Sequence, residues 1–243
     1  MEVINELLGY EKYKIYQDPD LFNFSIDSML LGYFATINKK TKRIIDLCSG
    51  NAPIPLYLTL RTKESIIGVE IQKKSYDLGV KSVIINNKGD QISLINDNLI
   101  NIHQKFDYKF DLVLCNPPFF KYQEGSNINK NEEKTIARHE VLVNLDQIVL
   151  EASMLLDNGG YFAMVHRPDR LLDIFEAFKK YRIEPKRLQF IYPKKDKECN
   201  HILIEGIKGG QSGGLRVLKP LIVYGDDNKW TPDILKVYNL KEE

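Results

Sequence analysis

The segment LVLCNPPFF (112–120) ends an apolar run with an asparagine, two prolines and an aromatic residue. Neither proline has a backbone N–H, so the carbonyl of Pro117 lies on a rigid chain next to the Asn116 side chain. These two oxygen acceptors could bind both hydrogens of an exocyclic aromatic amine and point its lone pair at an electrophile. Phe119 could stack on the base that carries this amine. The alternative is a strand terminator with an aromatic residue packed beneath it.

Three acidic residues precede this segment, each at the end of an apolar run. Asp46 lies in RIIDLC, Glu70 ends SIIGVE and Asp97 follows ISLIN. Nucleotide-binding sheets place a carboxylate at the position of Glu70 to accept hydrogen bonds from ribose hydroxyls, and Asp97 could meet an adenine amino group. Any one of them could be a solvated acid at a strand end. Three at successive strand ends favour a ligand crevice.

The turn after the first apolar run, in IIDLCSGNAPIPL (44–56), joins small residues to the start of a helix. Small residues let a backbone approach a ligand, and a helix N-terminus exposes unpaired N–H groups. Only Gly50 is a glycine, so the turn lacks the G-x-G-x-x-G pattern of a pyrophosphate site. A carboxylate at the strand end instead suits a ligand with a cationic amine. Candidate ligand-binding residues in this turn are Asp46, Ser49, Gly50 and Asn51.

The elements that must position these residues alternate between strand-like and helix-like patterns. Four apolar runs indicate parallel strands buried on both faces of a sheet, at 43–48, 65–70, 92–96 and 111–116. The segments between them that carry apolar residues at helical spacing are 54–62 and 72–87. Such a βαβ series is right-handed and places a ligand crevice at the carboxyl ends of the strands.

The patterns continue beyond a polar, loop-like segment at 121–135. They predict, in order, a helix over 145–158 stopped by Gly159–Gly160, a strand over 161–166, a helix over 168–183, and two strands, 187–193 and 201–208, that could pair antiparallel. The tail, 215–240, indicates a strand, a turn and a short helix. The first forty residues form a separate N-terminal segment.

Composition limits the function classes. The chain has 243 residues, 43% of them hydrophobic, which suffices for one large domain or one domain with an appendage. With a formal net charge of +1, nucleic-acid binding would need local clustering of charge. The three cysteines are too few and too scattered for a disulfide framework or a zinc site. The sequence shows no membrane span and no signal-peptide core, which predicts a soluble, cytoplasmic protein without a bound metal.

The motifs DLCSGNA, VEIQ, NDN and CNPPFF, in this order and spacing, resemble those of class I S-adenosylmethionine-dependent methyltransferases that methylate amines at an N-P-P-[FY] site. The resemblance extends to FNFSIDSMLLGYFA, ARHE, VHRPDRLLDIF and EPKRLQFIYP, and it covers nearly the whole chain. These segments are similar to bacterial tRNA adenine-N6 methyltransferases, which modify the adenosine beside the anticodon of a valine tRNA. The N-P-P-F motif indicates amine methylation, and the other segments narrow the substrate.

The resemblance implies an α/β, Rossmann-like fold with a seven-stranded, mostly parallel sheet, an antiparallel last strand and helices on both faces. Residues 1–40 would pack on the cofactor side of a methyltransferase domain at 41–243. The cofactor would be S-adenosyl-L-methionine, with S-adenosyl-L-homocysteine as the product. The implied roles are Asp46 and Gly50 beside the methionine part, Glu70 on the ribose, Asp97 on the adenine, Asn116 and Phe119 on the target base, and Ser49, Asn51 and Asn116 completing the cofactor set.

Basic residues in the second half of the chain could bind the phosphates of RNA. Between His166 and Pro220, thirteen Lys and Arg stand against seven acids, with Phe190 and Tyr192 among them. A solvated charged face is the alternative. The candidate RNA-binding residues are Arg138 and His139, which could help close the polar loop, and Arg167, Arg170, Lys186, Arg187, Lys194 and Lys195.

These features together predict methyl transfer to adenine N6 in tRNA by direct in-line displacement. The enzyme would be a monomer, and its target base would be unstacked from the anticodon loop. Three alternatives stay open. Release-factor glutamine N5-methyltransferases use a similar N-P-P-[FY] site, and an rRNA guanine N2 activity is a second enzymatic alternative. An RNA-binding protein that retains the fold without catalysis is the alternative from a different class.

Overall fold

The computed structural model describes residues 2–7, 10–21, 24–117, 119 and 143–238. The strands are β1 Val3–Leu7, β2 Tyr10–Gln17, β3 Arg43–Leu47, β4 Ser65–Glu70, β5 Ile92–Asn96, β6 Phe110–Cys115, β7 Leu156–His166, β8 Ile183–Tyr192, β9 His201–Lys208, β10 Arg216–Val217 and β11 Leu221–Ile222. The helices are α1 Ile26–Phe34, α2 Pro53–Leu58, α3 Lys73–Ile85, α4 Leu145–Leu155, α5 Leu171–Lys180 and α6 Pro232–Tyr238. Short 3-10 helices occupy Ile102–Lys105 and Pro168–Arg170.

The main sheet has the strand order β10-β8-β9-β7-β6-β3-β4-β5 in the described part of the chain, and β11 also pairs with β8. Its long strands, β3 to β9, confirm the predicted seven-stranded sheet. Among these seven only β9 is antiparallel to its neighbours, β7 and β8. The short connection 193–200 reverses the chain between β8 and β9, whereas a parallel partner would need a crossover. The tail was predicted to form one strand, a turn and a short helix; it forms two two-residue strands, β10 and β11, and then α6, and the pairing of both strands with β8 was not predicted.

Helices cover both faces of the sheet because its central strands are apolar on both faces. One core contains Leu114 of β6 with Leu31 of α1. The opposite core contains Val113 of β6 with Val149 of α4 and Phe178 of α5. Successive residues of β6 thus point into different cores, each burying large side chains worth about 1.5–3 kcal/mol apiece. The predicted arrangement of helices on both faces is confirmed.

The predicted end of the helix before β7 at Gly159–Gly160 is wrong. Helix α4 ends at Leu155, because Leu156 takes an extended backbone (φ −78°, ψ 143°) and pairs with Phe110 in the sheet. The two glycines lie inside β7, where the pairing with β6 shifts register. A Cβ atom at the second glycine would lie 3.2 Å from a carbonyl oxygen of β6. The glycine therefore permits a close approach of two strands.

The N-terminal segment forms the hairpin β1–β2 followed by α1. The hairpin packs on α3, where Tyr16 N donates to Ser82 Oγ at 2.9 Å and the Asn86 side chain bonds both backbone groups of Lys14. Asn51 Nδ2 donates to Tyr16 O at 2.7 Å, so the hairpin also contacts the turn after β3. Helix α1 packs against β7 and β9. The segment thus contacts the rest of the protein at two places, through the hairpin on α3 and the turn after β3 and through α1 on the sheet.

The carboxyl ends of β3 to β8 and the start of β9 lie along one edge of the main sheet, called the carboxyl edge below. This edge collects the residues that the sequence predicts to form a ligand crevice. None of the helices in the described ranges has the length and apolar character needed to cross a membrane. The described residues also contain no group of three or more His, Cys, Asp or Glu arranged to hold a metal ion.

Candidate active site

The turn after β3 holds two buried polar side chains without partners. Asp46 is fully buried, and neither of its carboxylate oxygens has a hydrogen-bond partner among the described residues. The Ser49 hydroxyl is buried in the same way, again without a partner in that part of the chain. Burial and the charge of Glu70 raise the pKa of Asp46 well above its usual value. Because buried polar groups are nearly always paired, these two fit a bound ligand with donor groups, such as an ammonium.

The backbone of this turn, residues 46–52 (the cofactor-side turn), leaves room for such a ligand. Cys48, Gly50 and Ala52 have positive φ angles of 59°, 55° and 69°. Non-glycine residues in this region are strained, and such strain is concentrated at functional sites. A Cβ atom at Gly50 would meet no atom within 4 Å, so the space beside it is open. Gly68 of β4 lets the turn approach the sheet, because a Cβ there would lie 2.9 Å from Ser49 Oγ.

Glu70 and Asp97 reach the same edge from β4 and β5. Glu70 accepts from Gly50 N and from Gln72 N, both at 2.8 Å, through different oxygens. Burial raises the pKa of Glu70 in opposition to these backbone hydrogen bonds. Each carboxylate oxygen keeps a second lone pair that could accept from a ribose hydroxyl. Asp97 pairs with Lys105, which lowers the pKa of Asp97.

Asn116 and Pro117 extend β6 beyond Cys115, beside the end of β3. Asn116 Nδ2 donates to Ser28 Oγ of α1 at 3.1 Å. Because the amide nitrogen faces Ser28, the amide oxygen Oδ1 is left as an acceptor for a ligand. Pro117 is buried, and Pro118 lies outside the described residues. The structure thus places the predicted amide acceptor next to the strand that carries the buried acid.

Phe119 lies between two histidines from other strands. Its ring centroid is 5.7 Å from that of His166, the last residue of β7, and 5.3 Å from that of His201, the first residue of β9. His201 Nδ1 lies 3.4 Å from Asp27 Oδ1 of α1. His166 is fully buried, and burial lowers its pKa to about 3, so its ring is neutral at physiological pH. We call Asn116, Pro117, Phe119, His166 and His201 the target-side cluster.

Sequence reasoning missed Asp27, Ser28, His166 and His201 as members of this site. One signal was available for His166, which ends an apolar run in the same way as the predicted acids end theirs. Another lay in the apolar stretch 21–35, where Asp27 and Ser28 interrupt a helix that is otherwise buried. Buried polar residues require partners, so such interruptions indicate a polar neighbour in the folded protein.

The candidate RNA-binding residues fall into separate groups. Arg167 follows β7, and Lys194 and Lys195 follow β8, so all three lie at the carboxyl edge near the target-side cluster. Lys195 is exposed and Lys194 is half-buried. Arg138 and His139 lie outside the described residues. Arg167 also forms an ion pair with Asp169 at 3.3 Å, so two lysines and one paired arginine are the candidate cations at this edge in the described part of the chain.

Three other candidates lie elsewhere. Lys186 is in the amino-terminal half of β8, far along the strand from the carboxyl edge. Arg187 donates to the buried Glu205 at 2.9 Å and to two groups near the end of α1. The Arg170 side chain is 8% exposed and donates to Asp173 at 2.8 Å. Arg170 and Arg187 thus have partners inside the protein, and their RNA-binding role stays a prediction.

Comparison with known proteins identifies the family. The methyltransferase small domain family matches residues 13–183 of the chain. Curated relatives named tRNA1(Val) (adenine(37)-N6)-methyltransferase include one from Porphyromonas gingivalis, 26% identical over 207 residues (82% of this chain, 80% of the relative). Another, from Haemophilus influenzae, is 26% identical over 231 residues (94% of each chain).

Solved structures share the fold at low sequence identity. A predicted O-methyltransferase from Agrobacterium tumefaciens has a TM-score of 0.68 at 18% identity, covering 88% of this chain and 95% of that chain. A tRNA m1G37 methyltransferase from M. jannaschii has a TM-score of 0.60 at 14% identity, covering 86% of this chain and 57% of that chain. With a family match that spans well over half of its length, and with this fold, the chain belongs to the methyltransferase small domain family.

Proposed function

We propose that this protein transfers a methyl group from S-adenosyl-L-methionine to the exocyclic N6 amine of the adenosine beside the anticodon of a valine tRNA. One observation carries the proposal: among the described residues the oxygen of the Asn116 amide has no hydrogen-bond partner, and it lies next to Pro117, beside a turn whose buried acid also has none. An acceptor pair for an amine thus adjoins a site for a cationic ligand. The relatives from P. gingivalis and H. influenzae support the substrate, because their names state this activity.

The cofactor-side turn fits S-adenosyl-L-methionine, which supplies an electrophilic methyl group when bound. The unpaired carboxylate of Asp46 and the unpaired hydroxyl of Ser49 would bind its ammonium end, and the open space at Gly50 would admit it. Glu70 would accept hydrogen bonds from the ribose, and Asp97 would bind the adenine amine. The buried carboxylates favour a ligand that carries positive charge.

The target-side cluster would hold the amine that is methylated. Asn116 Oδ1 and the carbonyl oxygen of Pro117 would accept its two hydrogens, so that the nitrogen lone pair points toward the cofactor. Phe119 would stack on the base. The amine loses a proton after transfer, when its nitrogen is cationic, so the reaction requires no general base. The rate enhancement then comes from positioning.

The carboxyl edge would receive the anticodon loop. The target adenosine must leave the stack to reach Asn116, because the motif cannot contact an amine inside a stacked loop. Arg167, Lys194 and Lys195 would bind phosphates on either side of the flipped nucleotide. We further infer that the protein acts as a cytoplasmic monomer. Its three cysteines are free thiols, which suits a reducing compartment.

The test is nucleoside mass spectrometry of tRNA from a strain that lacks this protein. N6-methyladenosine should disappear from the anticodon loop of its target tRNA and return on complementation. The purified protein with labelled cofactor should label tRNA, and not rRNA or release factor. Label in rRNA or in a release-factor glutamine would favour those alternatives. Failure to bind the cofactor in calorimetry would favour a non-catalytic RNA-binding protein.

A further inference from the structure

The target-side cluster contains a buried hydrogen-bond donor with no partner in the described part of the chain. We propose that His166 donates a hydrogen bond from Nε2 to a ring nitrogen of the target base, N1 or N7, the two that flank the methylated amine. This inference deepens the proposed function and rests on it. It gives His166 a role in positioning the base that the N-P-P-F segment alone does not provide.

The hydrogen bond on one side of the His166 ring determines which nitrogen carries the hydrogen. The backbone N–H of Arg167 donates to His166 Nδ1 at 2.8 Å. Nδ1 is therefore unprotonated, and the neutral imidazole carries its hydrogen on Nε2. Burial, reinforced by the nearby charge of Arg170, lowers the pKa of His166 to about 3, so this tautomer persists at neutral pH.

The Nε2 donor of His166 is unused within the described residues. The atom is buried, no acceptor lies within hydrogen-bond distance in that part of the chain, and the residue is inaccessible to solvent. Buried N–H groups in folded proteins are nearly always paired, and an unpaired one destabilises the protein. A phenylalanine or leucine would fill the same space without an unpaired Nε2 donor, but it would also remove the acceptor of the Arg167 N–H. The Nε2 donor, unlike Nδ1, is therefore best explained by an acceptor that arrives with a ligand.

His166 lies next to the segment that would hold the target base. Strands β6 and β7 are adjacent and parallel, with Cys115 opposite Met164. Two residues further along each chain segment, Pro117 follows the end of β6 and His166 ends β7. The His166 ring is 5.7 Å from the Phe119 ring, centroid to centroid, at an interplanar angle of 61°. The donor thus lies beside both the carbonyl and the ring that contact the base in the proposed reaction.

A donor at this position complements adenine. The N6 amine gives its two hydrogens to Asn116 and Pro117, whereas N1 and N7 are acceptors that require a donor. Acceptors for the amine and a donor for a ring nitrogen together fix the rotation of the base as well as its position. A donor at N1 would also reject guanine, because guanine carries a hydrogen on N1 and an oxygen in place of the amine.

His201 provides a matched control for His166. Its ring lies 5.3 Å from the Phe119 ring, a distance close to that of His166. Its Nδ1 lies 3.4 Å from the Asp27 carboxylate, so this histidine has a partner inside the protein. Replacing His201 with phenylalanine should disturb the support of Phe119 without removing a donor to the base.

The experiment uses tRNAs assembled by ligation with adenosine, 1-deazaadenosine or 7-deazaadenosine at the target position. The kcat/KM of methyl transfer is measured for the wild type, His166→Phe and His201→Phe. The wild type should lose about 10- to 100-fold on the analogue that lacks the acceptor of His166. His166→Phe should lose a similar factor on adenosine and nothing further on that analogue. His201→Phe should lower all three rates equally and preserve the wild-type ratios.

Two results would overturn the inference. One is that His166→Phe keeps the wild-type ratios on both analogues, while its cofactor affinity in calorimetry shows that it is folded. The other is that the wild type methylates both analogues as fast as adenosine, and this result does not depend on any variant. If the wild type fails to methylate the tRNA that carries adenosine, the proposed function itself is wrong.

Discussion

The two sides of this site are assembled in different ways. The cofactor-side turn is one continuous segment, 46–52, and its neighbours in β4 and β5 follow closely in the chain. The target-side cluster and its supports come from four separated segments, 27–28, 116–119, 166 and 201. A continuous turn is recognisable from its own residues. A cluster of distant segments depends on how α1 and the strands pack.

The two sides also differ in the kind of buried group that has no hydrogen-bond partner among the described residues: acceptors on the cofactor side and a donor on the target side. Asp46 has two acceptor oxygens that no described residue satisfies, and His166 has one such donor. Burial raises the pKa of Asp46 and lowers the pKa of His166, because in both cases it disfavours the charged form. The cofactor side therefore suits a ligand with cationic donors, and the target side suits a neutral acceptor. Substitutions on the two sides should separate cofactor binding from methyl transfer.

The largest expected effect is on the target side. Asn116→Ala removes one of the two acceptors of the amine, and we expect methyl transfer to tRNA to fall by about 1,000-fold or more. Cofactor affinity should change little, because Asp46 and Ser49, which would bind the cofactor, remain in place. Tritiated-methyl incorporation measures methyl transfer, and calorimetry measures cofactor affinity.

Asn86→Ala, which removes a structural asparagine between α3 and the hairpin, is the matched control and should leave kcat unchanged. Surviving transfer in Asn116→Ala would disprove the mechanism.

On the cofactor side, Asp46→Asn should produce two opposite effects. Cofactor affinity should fall by about 10- to 100-fold, because the ammonium loses its ionised partner. Above the raised pKa of Asp46 the cofactor-free protein should become more stable, because an amide at this buried position cannot ionise. Calorimetry and urea denaturation measure these quantities. A cofactor-free variant less stable than the wild type would show that Asp46 has a structural role.

The raised pKa of Asp46 predicts a pH dependence of the cofactor-free protein. The folded state binds a proton at Asp46 more readily than the unfolded state, whose carboxyl has its ordinary pKa of 3.8. This site therefore adds stability as pH falls from the raised pKa toward 3.8, and the added stability is lost as pH rises. Affinity for a cationic cofactor should fall over the same acidic window. Asp46→Asn should flatten both profiles, and unchanged profiles would show that another group titrates.

A smaller effect is expected where α1 supports the target side. Ser28→Ala removes the partner of Asn116 Nδ2, so the amide can rotate and present its nitrogen to the amine. We expect kcat to fall about 10-fold with little change in KM for tRNA, and Ser28→Thr to recover most of it. Ser82→Ala, which removes a buried hydroxyl beneath the hairpin, should lower stability but not kcat. Equal kcat losses at Ser28 and Ser82 would indicate a general folding defect.

Much of the fold was predictable from the sequence, because strands buried on both faces form unbroken apolar runs. RIIDLC and DLVLCN were correctly predicted as strands of a parallel sheet for this reason, whereas their pairing as neighbours was not predicted. The hairpin β1–β2 was missed, because its second strand, YEKYKIYQ, mixes charged and apolar residues, although Tyr13 and Ile15 are buried in the core. Gly159–Gly160 misled the prediction, since glycine ends helices and also permits close strand contacts.

The residues of the site also divide into those that the sequence predicted and those that it did not. Asn116 and Glu70 were found from their own strand ends, whereas the contact between Ser28 and Asn116 exists only because α1 packs on the sheet. Arg187 was predicted to bind RNA from its charge. Its partner Glu205 lies opposite it on the antiparallel strand β9, and this register could not be derived from composition. The chemistry of a short motif can be predicted from its own residues. Contacts between residues that are distant in the sequence can be identified only from the fold.

The smallest expected effect is on tRNA binding by the lysines at the carboxyl edge near the target-side cluster. Lys194→Ala with Lys195→Ala removes two cations at the carboxyl edge, whereas Lys186→Ala removes one that lies far along β8. The double variant should raise KM for tRNA about 3- to 10-fold, leave kcat unchanged and reduce the slope of log affinity against log salt by about two. Lys186→Ala should change neither quantity. If Lys186→Ala weakens tRNA binding as much, the RNA must extend along the opposite edge, and the assignment of the carboxyl edge to the anticodon loop fails.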